Sequence, residues 1–146
     1  MKKVLLLAVL VLIGAIAYRS FGNLSGGGTS TVRGPSAPGG KLTLLDFTGS
    51  DWCGWCQKLD KEVFSQPEFQ LYARENIIFT KVDFPQRIPQ SPAEKAQNAA
   101  LAKQYGIRGF PTIVVLNSQG KEVGRLGYMP GGPKTFVEAL KRFPSS

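Results

Sequence analysis

The chain contains no histidine. That absence removes Cys–His nucleophile pairs, Ser–His triads and every zinc or copper site that uses an imidazole. Cysteine occurs only twice, so a four-ligand zinc site would have to be shared between molecules. Charged side chains are sparse at 19%, and the net charge of +8 comes without a basic run or an aromatic–basic repeat. Residues 41–83 carry five Lys/Arg against seven Asp/Glu, and residues 84–146 nine against three. The positive excess therefore lies in the C-terminal half, where a solvated surface explains it better than a nucleic-acid face.

Long apolar runs are also missing, with one exception at the start. In "MKKVLLLAVLVLIGAIAYRSFG" two lysines precede an unbroken apolar stretch over residues 4–17. Its length suits a signal-peptide core better than a full membrane span, which needs about 20 residues. Ala15-Ile16-Ala17 offers an A-x-A cleavage site, while Tyr18-Arg19 suits the far anchor of a short span. Residues 1–22 are thus read as a signal peptide or an N-terminal membrane anchor, both uses staying open. Either one implies export, to the periplasm or another extracytoplasmic space, with membrane contact only through this segment if it is retained. It holds no cysteine, which excludes a lipoprotein anchor. Residues 23–40, "NLSGGGTSTVRGPSAPGG", are too poor in apolar side chains to offset their ordering entropy and read as a flexible linker.

Residues 41–146 read as one domain. "KLTLLDFTG" is a buried strand, and "CQKLDKEVF" is helix-compatible. Ser65-Gln66-Pro67-Glu68 and Ser91-Pro92-Ala93-Glu94 both carry the capping-box signature, the second opening a helix that Gly106 closes. "NIIFTKVDF", "TIVVL" and "KEVGRL" supply three more strands, the last two joined by the turn Asn117-Ser118-Gln119-Gly120. Pro133 opens a final helix with Phe136, Leu140 and Phe143 on one face. The order β-α-β-α-β-β-α implies an α/β domain, a central mixed sheet with helices on both faces.

Both cysteines and both tryptophans fall within "SDWCGWCQKL". Cys53 stands where the first strand gives way to a helix, and Cys56 lies one turn further in. Free N–H groups and the helix dipole at that place favour a thiolate at Cys53 below the ordinary thiol pKa of about 8.5. Thiol–disulfide exchange requires one exposed thiolate to attack and a second thiol to release the mixed disulfide. Cys53 is assigned the attack and Cys56 the resolution. A disulfide closing so short a loop constrains little of the unfolded chain, so a purely structural staple is a weak alternative. Copper(I) held by two thiolates is a stronger one, with Met129 as the candidate extra ligand.

"LLDFTGSDWCGWCQKL", "TKVDF", "YGIRGFPTIVVLNSQGKEVGRLGY" and "GGPKTFVEAL" together resemble the thioredoxin superfamily, in particular its exported thiol:disulfide interchange branch. The resemblance covers residues 41–143 and implies a thioredoxin-like fold. It implies a cis bond at Phe110-Pro111 facing the cysteines, with Pro111 aligning the substrate and Phe110 and Thr112 beside the substrate chain. Asp46 is similar to the family's buried strand aspartate, a proton acceptor for the resolving cysteine, although it precedes Cys53 by seven positions where thioredoxin has six. A partly exposed strand residue is the alternative for Asp46, and a solvated lysine the alternative for Lys81, which matches the family's lysine near that aspartate. Trp52 reads as a core residue. Trp55 departs from the family's Gly-Pro and offers either core packing or an exposed apolar surface to a substrate.

The reading that follows is an exported thiol:disulfide oxidoreductase reducing or exchanging protein disulfides, with protein thiols and disulfides as substrates. It needs no cofactor besides the Cys53–Cys56 pair, takes electrons from a membrane partner and binds no nucleic acid. A copper(I) metallochaperone domain and a non-enzymatic binding module are the alternatives.

Overall fold

Leu42–Thr48 (β1) is buried along its whole length, as a strand must be when helices cover both of its faces. In the computed structural model, residues 38–146 are described. The segment read as a leader and the linker up to residue 37 lie outside the described residues, and Pro38–Gly40 form a short 3₁₀ turn. No helix among the described residues is long and apolar enough to cross a membrane.

After β1 come α1 (Gly54–Leu59), a π-helical turn (Asp60–Phe64), α2 (Pro67–Asn76) and β2 (Ile77–Asp83). Then follow α3 (Pro92–Gln104), β3 (Thr112–Leu116), β4 (Glu122–Leu126) and α4 (Gly132–Leu140). The four strands form one sheet in the order β2-β1-β3-β4. β1 runs parallel to β2 with Asp46 opposite Lys81, and antiparallel to β3 with Phe47 opposite Thr112.

Alternation along β1 sends its side chains to two cores. Leu42 and Leu44 join Ile113 and Val115 beneath Leu59, Val63, Phe69, Phe136 and Leu140 of the helical layer. Leu45 and Phe47 join Val114 and Tyr105 on the other face, where Leu101 and Ala102 of α3 pack. The mixed sheet with helices on both faces is as the element order implies. Each fully buried Phe or Leu contributes about 1.5–3 kcal/mol.

Two helix boundaries behave differently despite the same signature. Ser91 precedes Pro92, is extended (φ −65°, ψ 151°) and caps α3 by accepting from the Glu94 N–H at 3.1 Å. Ser65 does not cap α2. Pro67 forces extended backbone on the residue before it, so Gln66 (φ −78°, ψ 137°) becomes the N-cap and the helix starts one residue later than the Ser65–Glu68 box requires. Ser65 instead ends the π turn, its Oγ donating to Asp60 at 3.2 Å. At the other end of α3, Gly106 (φ 58°) forms a Schellman close, with Gly106 N–H to Lys103 O and Ile107 N–H to Ala102 O. α4 ends at Leu140, before Phe143, although Phe143 still packs against the core.

Candidate functional site

Strand directions bring four chain segments to one end of the sheet. β1 and β2 both finish there, β3 starts there, and β4, antiparallel to β3, finishes there. The cysteine loop, the segment after Asp83, the Phe110-Pro111 bond and the loop holding Tyr128 are therefore neighbours. Phe110-Pro111 is a cis peptide.

Cys53 is the N-cap of α1, and the Cys56 backbone N–H donates to its Sγ at 3.2 Å. The two sulfurs are bonded, with Cα atoms 5.2 Å apart. In this oxidised form Cys53 as a whole residue is 7% exposed and Cys56 4%.

Asp46 is 4% exposed, so the reading of it as a partly exposed strand residue is corrected. It shares its sheet face with Leu42 and Leu44, the face that α1 covers through Leu59. Its Oδ1 has no hydrogen-bond partner among the described residues. Burial pushes its pKa up from 3.8 to about 7; Lys81 opposes the rise, while Asp60 and Asp83 add to it. Lys81, its register partner, is exposed and acts on it as a charge.

The expectation that Trp52 is a core residue is also corrected. It is 40% exposed, its Nε1–H donates to Phe84 O at 2.8 Å, and its ring makes a T-shaped contact with Phe110, centroids 5.9 Å apart. A polar edge needing a partner holds this indole at the surface. Gly49 makes room for it, since a Cβ there would lie 2.5 Å from Trp52 Cε2. Phe110 in turn stacks on Phe84 at 5.2 Å. Trp55, 59% exposed, takes the surface alternative rather than the core one. It packs on Tyr128 at 5.1 Å with Lys58 Nζ over both rings.

An open groove of about 580 Å³ runs beside Pro111 and Thr112, between Arg108 and Arg125. Thr112 Oγ1 donates to Gly109 O at 2.7 Å, so its hydroxyl is committed to its own turn. Met129 packs against the core with Leu126 and Phe143. No group of three or more His, Cys, Asp or Glu suited to a metal ion occurs among the described residues.

Three participants escaped the sequence reading. Asp51 accepts from the backbone N–H groups of Gln86, Arg87 and Ile88 at 2.9, 2.6 and 3.0 Å. Those bonds, Gln86's first, hold its carboxyl below the usual range. Asp83 receives the Ser50 N–H at 2.9 Å and its hydroxyl at 2.5 Å. Tyr128 OH donates to Glu62 Oε2 at 2.7 Å.

The sequence profile of the family described as "Thioredoxin-like domain" matches residues 36–144. The disulfide bond reductase DsbH of Chlamydia pneumoniae is 38% identical over 101 residues, 69% of this chain and 61% of that protein. The thiol:disulfide interchange protein DsbD of Salmonella typhimurium is 34% identical over 83 residues, 57% of this chain and 13% of DsbD. A solved structure of a DsbH oxidoreductase superposes with a TM-score of 0.66 at 30% identity, covering 86% of this chain and 94% of that one. The chain spans less than two thirds of the length of these curated relatives.

Proposed function

The chain belongs to the thioredoxin-like domain family, and from that premise we propose that it is a thiol:disulfide oxidoreductase acting on protein disulfides through Cys53 and Cys56. The observation that carries the reading is the backbone N–H of Cys56 donating to Cys53 Sγ at 3.2 Å. In the reduced pair the same donor stabilises a Cys53 thiolate.

The exchange runs in two steps. The Cys53 thiolate attacks one sulfur of a substrate disulfide, forming a mixed disulfide, and the other substrate sulfur leaves as a thiolate that takes a proton from water. The Cys56 thiol then passes its proton to Asp46, and its sulfur attacks Cys53 Sγ. The Cys53–Cys56 bond re-forms, the second substrate sulfur leaves with the electron pair, and two electrons have moved to the substrate. A carboxyl titrating at about 7 can both take and return that proton near neutrality. The start of β3 at the same end of the sheet as the cysteine loop supports Pro111, Phe110 and Thr112 as the seat of the substrate backbone.

The reductive direction is supported by the name of the DsbH relative, a disulfide bond reductase. Export, and resupply of electrons by a dithiol partner at the membrane, are supported by the apolar run over residues 4–17. The test is a Cys56→Ser trap, which should accumulate dithiothreitol-reversible mixed disulfides on Cys53, whereas Cys53→Ser should form none. An empty trap, beside a wild type that reduces protein disulfides, would assign the two sulfurs wrongly. A reduction potential near about −120 mV would reverse the direction to oxidation.

A further inference from the structure

Trp55 lies between the two cysteines, is mostly exposed, and is nevertheless held. Tyr128, from the loop after β4, packs on the indole at 5.1 Å with their planes 44° apart. Lys58, one turn after Gly54 on α1, places its ammonium 5.2 Å from the Trp55 ring and 4.9 Å from the Tyr128 ring. Glu62, in the π turn, accepts the Tyr128 hydroxyl at 2.7 Å and faces Lys58 Nζ at 3.9 Å. Lys58 from α1 and Tyr128 from the loop after β4 thus meet at one surface indole, Glu62 of the π turn holds both of them, and Tyr128 is anchored from behind by its packing on the core.

An exposed tryptophan loses rotamer freedom when a partner covers it, and ordering it in advance removes that cost from docking. Core packing does not require the arrangement, because 59% of Trp55 remains in water. The alternative use of a tryptophan at this place, a hydrogen bond from its Nε1–H to backbone, is taken by Trp52 instead.

We propose that Tyr128 is a positioning residue that, with Lys58 and Glu62, presents the Trp55 ring to an apolar or aromatic segment flanking a polypeptide disulfide. The proposal rests on the thiol:disulfide exchange assigned to the cysteine pair and names the substrate class that this pair prefers. Glutathione disulfide flanks its sulfurs only with glutamyl and glycyl groups, so it has no apolar segment to lay on the ring.

The test compares insulin, as a polypeptide disulfide, with glutathione disulfide, using the full chain with dithiothreitol as the donor. Trp55→Ala removes the ring at an exposed position. Tyr128→Leu removes the ring face and the hydroxyl while keeping apolar bulk against the core. Each should raise KM for insulin about tenfold, a loss of about 1.4 kcal/mol, with kcat for insulin changed less than about twofold and with a several-fold smaller loss of kcat/KM on glutathione disulfide. The double variant should be no worse than Trp55→Ala alone, since Tyr128 acts through Trp55. Additive losses, or equal losses on both substrates, would overturn the proposal while leaving the exchange reaction standing. Wild type inert toward both disulfides would instead remove the reading on which it rests.

Discussion

Asp46 and Asp51 are the same residue type five positions apart, the first inside β1 and the second in the turn between β1 and the cysteines, and they are driven in opposite directions. Asp46 is buried, keeps one oxygen without a hydrogen-bond partner, and titrates at about 7. Asp51 accepts three backbone N–H bonds and is held below the usual carboxylate range. Burial without hydrogen bonds makes a carboxyl chemically ready and costs the fold stability. Hydrogen bonds without burial make a carboxyl inert and fasten one loop to another. Asp51 ties the cysteine loop to residues 86–88, as Asp83 ties it to the end of β2 through Ser50.

The largest effect should come from Asp46→Asn. The native carboxyl binds its proton more tightly than the unfolded one, so this group's contribution to stability is fully present below pH 3.8 and is lost as pH rises from there through about 7. A rise of about three units corresponds to about 4 kcal/mol as an upper figure. At pH 8 the oxidised Asn variant should therefore be more stable than wild type by up to about that amount, and near pH 3.5 the two should nearly coincide. The same variant should resolve mixed disulfides more slowly and lose the rise in resolution rate through pH 7. Urea unfolding at both pH values checks the first part. A stability gap between wild type and Asp46→Asn that is the same at pH 3.5 and pH 8 would remove the contrast between the two aspartates.

Gly49 sits between them, and Gly49→Ala should have the intermediate effect. The new Cβ would lie 2.5 to 2.8 Å from three atoms of the Trp52 indole, and overpacking of that kind costs about 1–3 kcal/mol. The indole should shift, weakening its bond to Phe84 O, and tryptophan fluorescence should change with the unfolding midpoint. Unchanged fluorescence and midpoint together would show that Trp52 does not occupy this place.

Local chemistry was legible in the sequence and long-range chemistry was not. β1, β3, the cysteine pair and the Gly106 helix close follow from neighbours within a few residues, and the cis bond at Phe110-Pro111 from a motif resemblance. Ser65 misled because the capping signature ignores what Pro67 does to Gln66. Trp52 misled because its partner, Phe84 O, is 32 residues away. The Asp51 bonds span 35 to 37 residues and the Tyr128–Glu62 bond 66. No periodicity or spacing encodes such a pairing; it exists only once strand order has brought the segments together.

Asp51→Asn should give the smallest effect and the opposite pH signature. Its folded pKa is lowered, so the stability it contributes is present above pH 3.8 and is lost as pH falls below that value. Solvent screens an exposed carboxylate, and an Asn oxygen can still accept part of the N–H set, so the loss at neutral pH should be less than that from Gly49→Ala. Comparison in an Asp46→Asn background isolates the effect, because the buried carboxyl then no longer titrates. There, the stability gap between the protein that keeps Asp51 and the one that carries Asp51→Asn should be constant from about pH 5 to pH 8 and close on further acidification. A gap that widened on acidification would mean that the three N–H bonds do not hold the carboxylate form, and that the loop over residues 86–88 is fastened by something else.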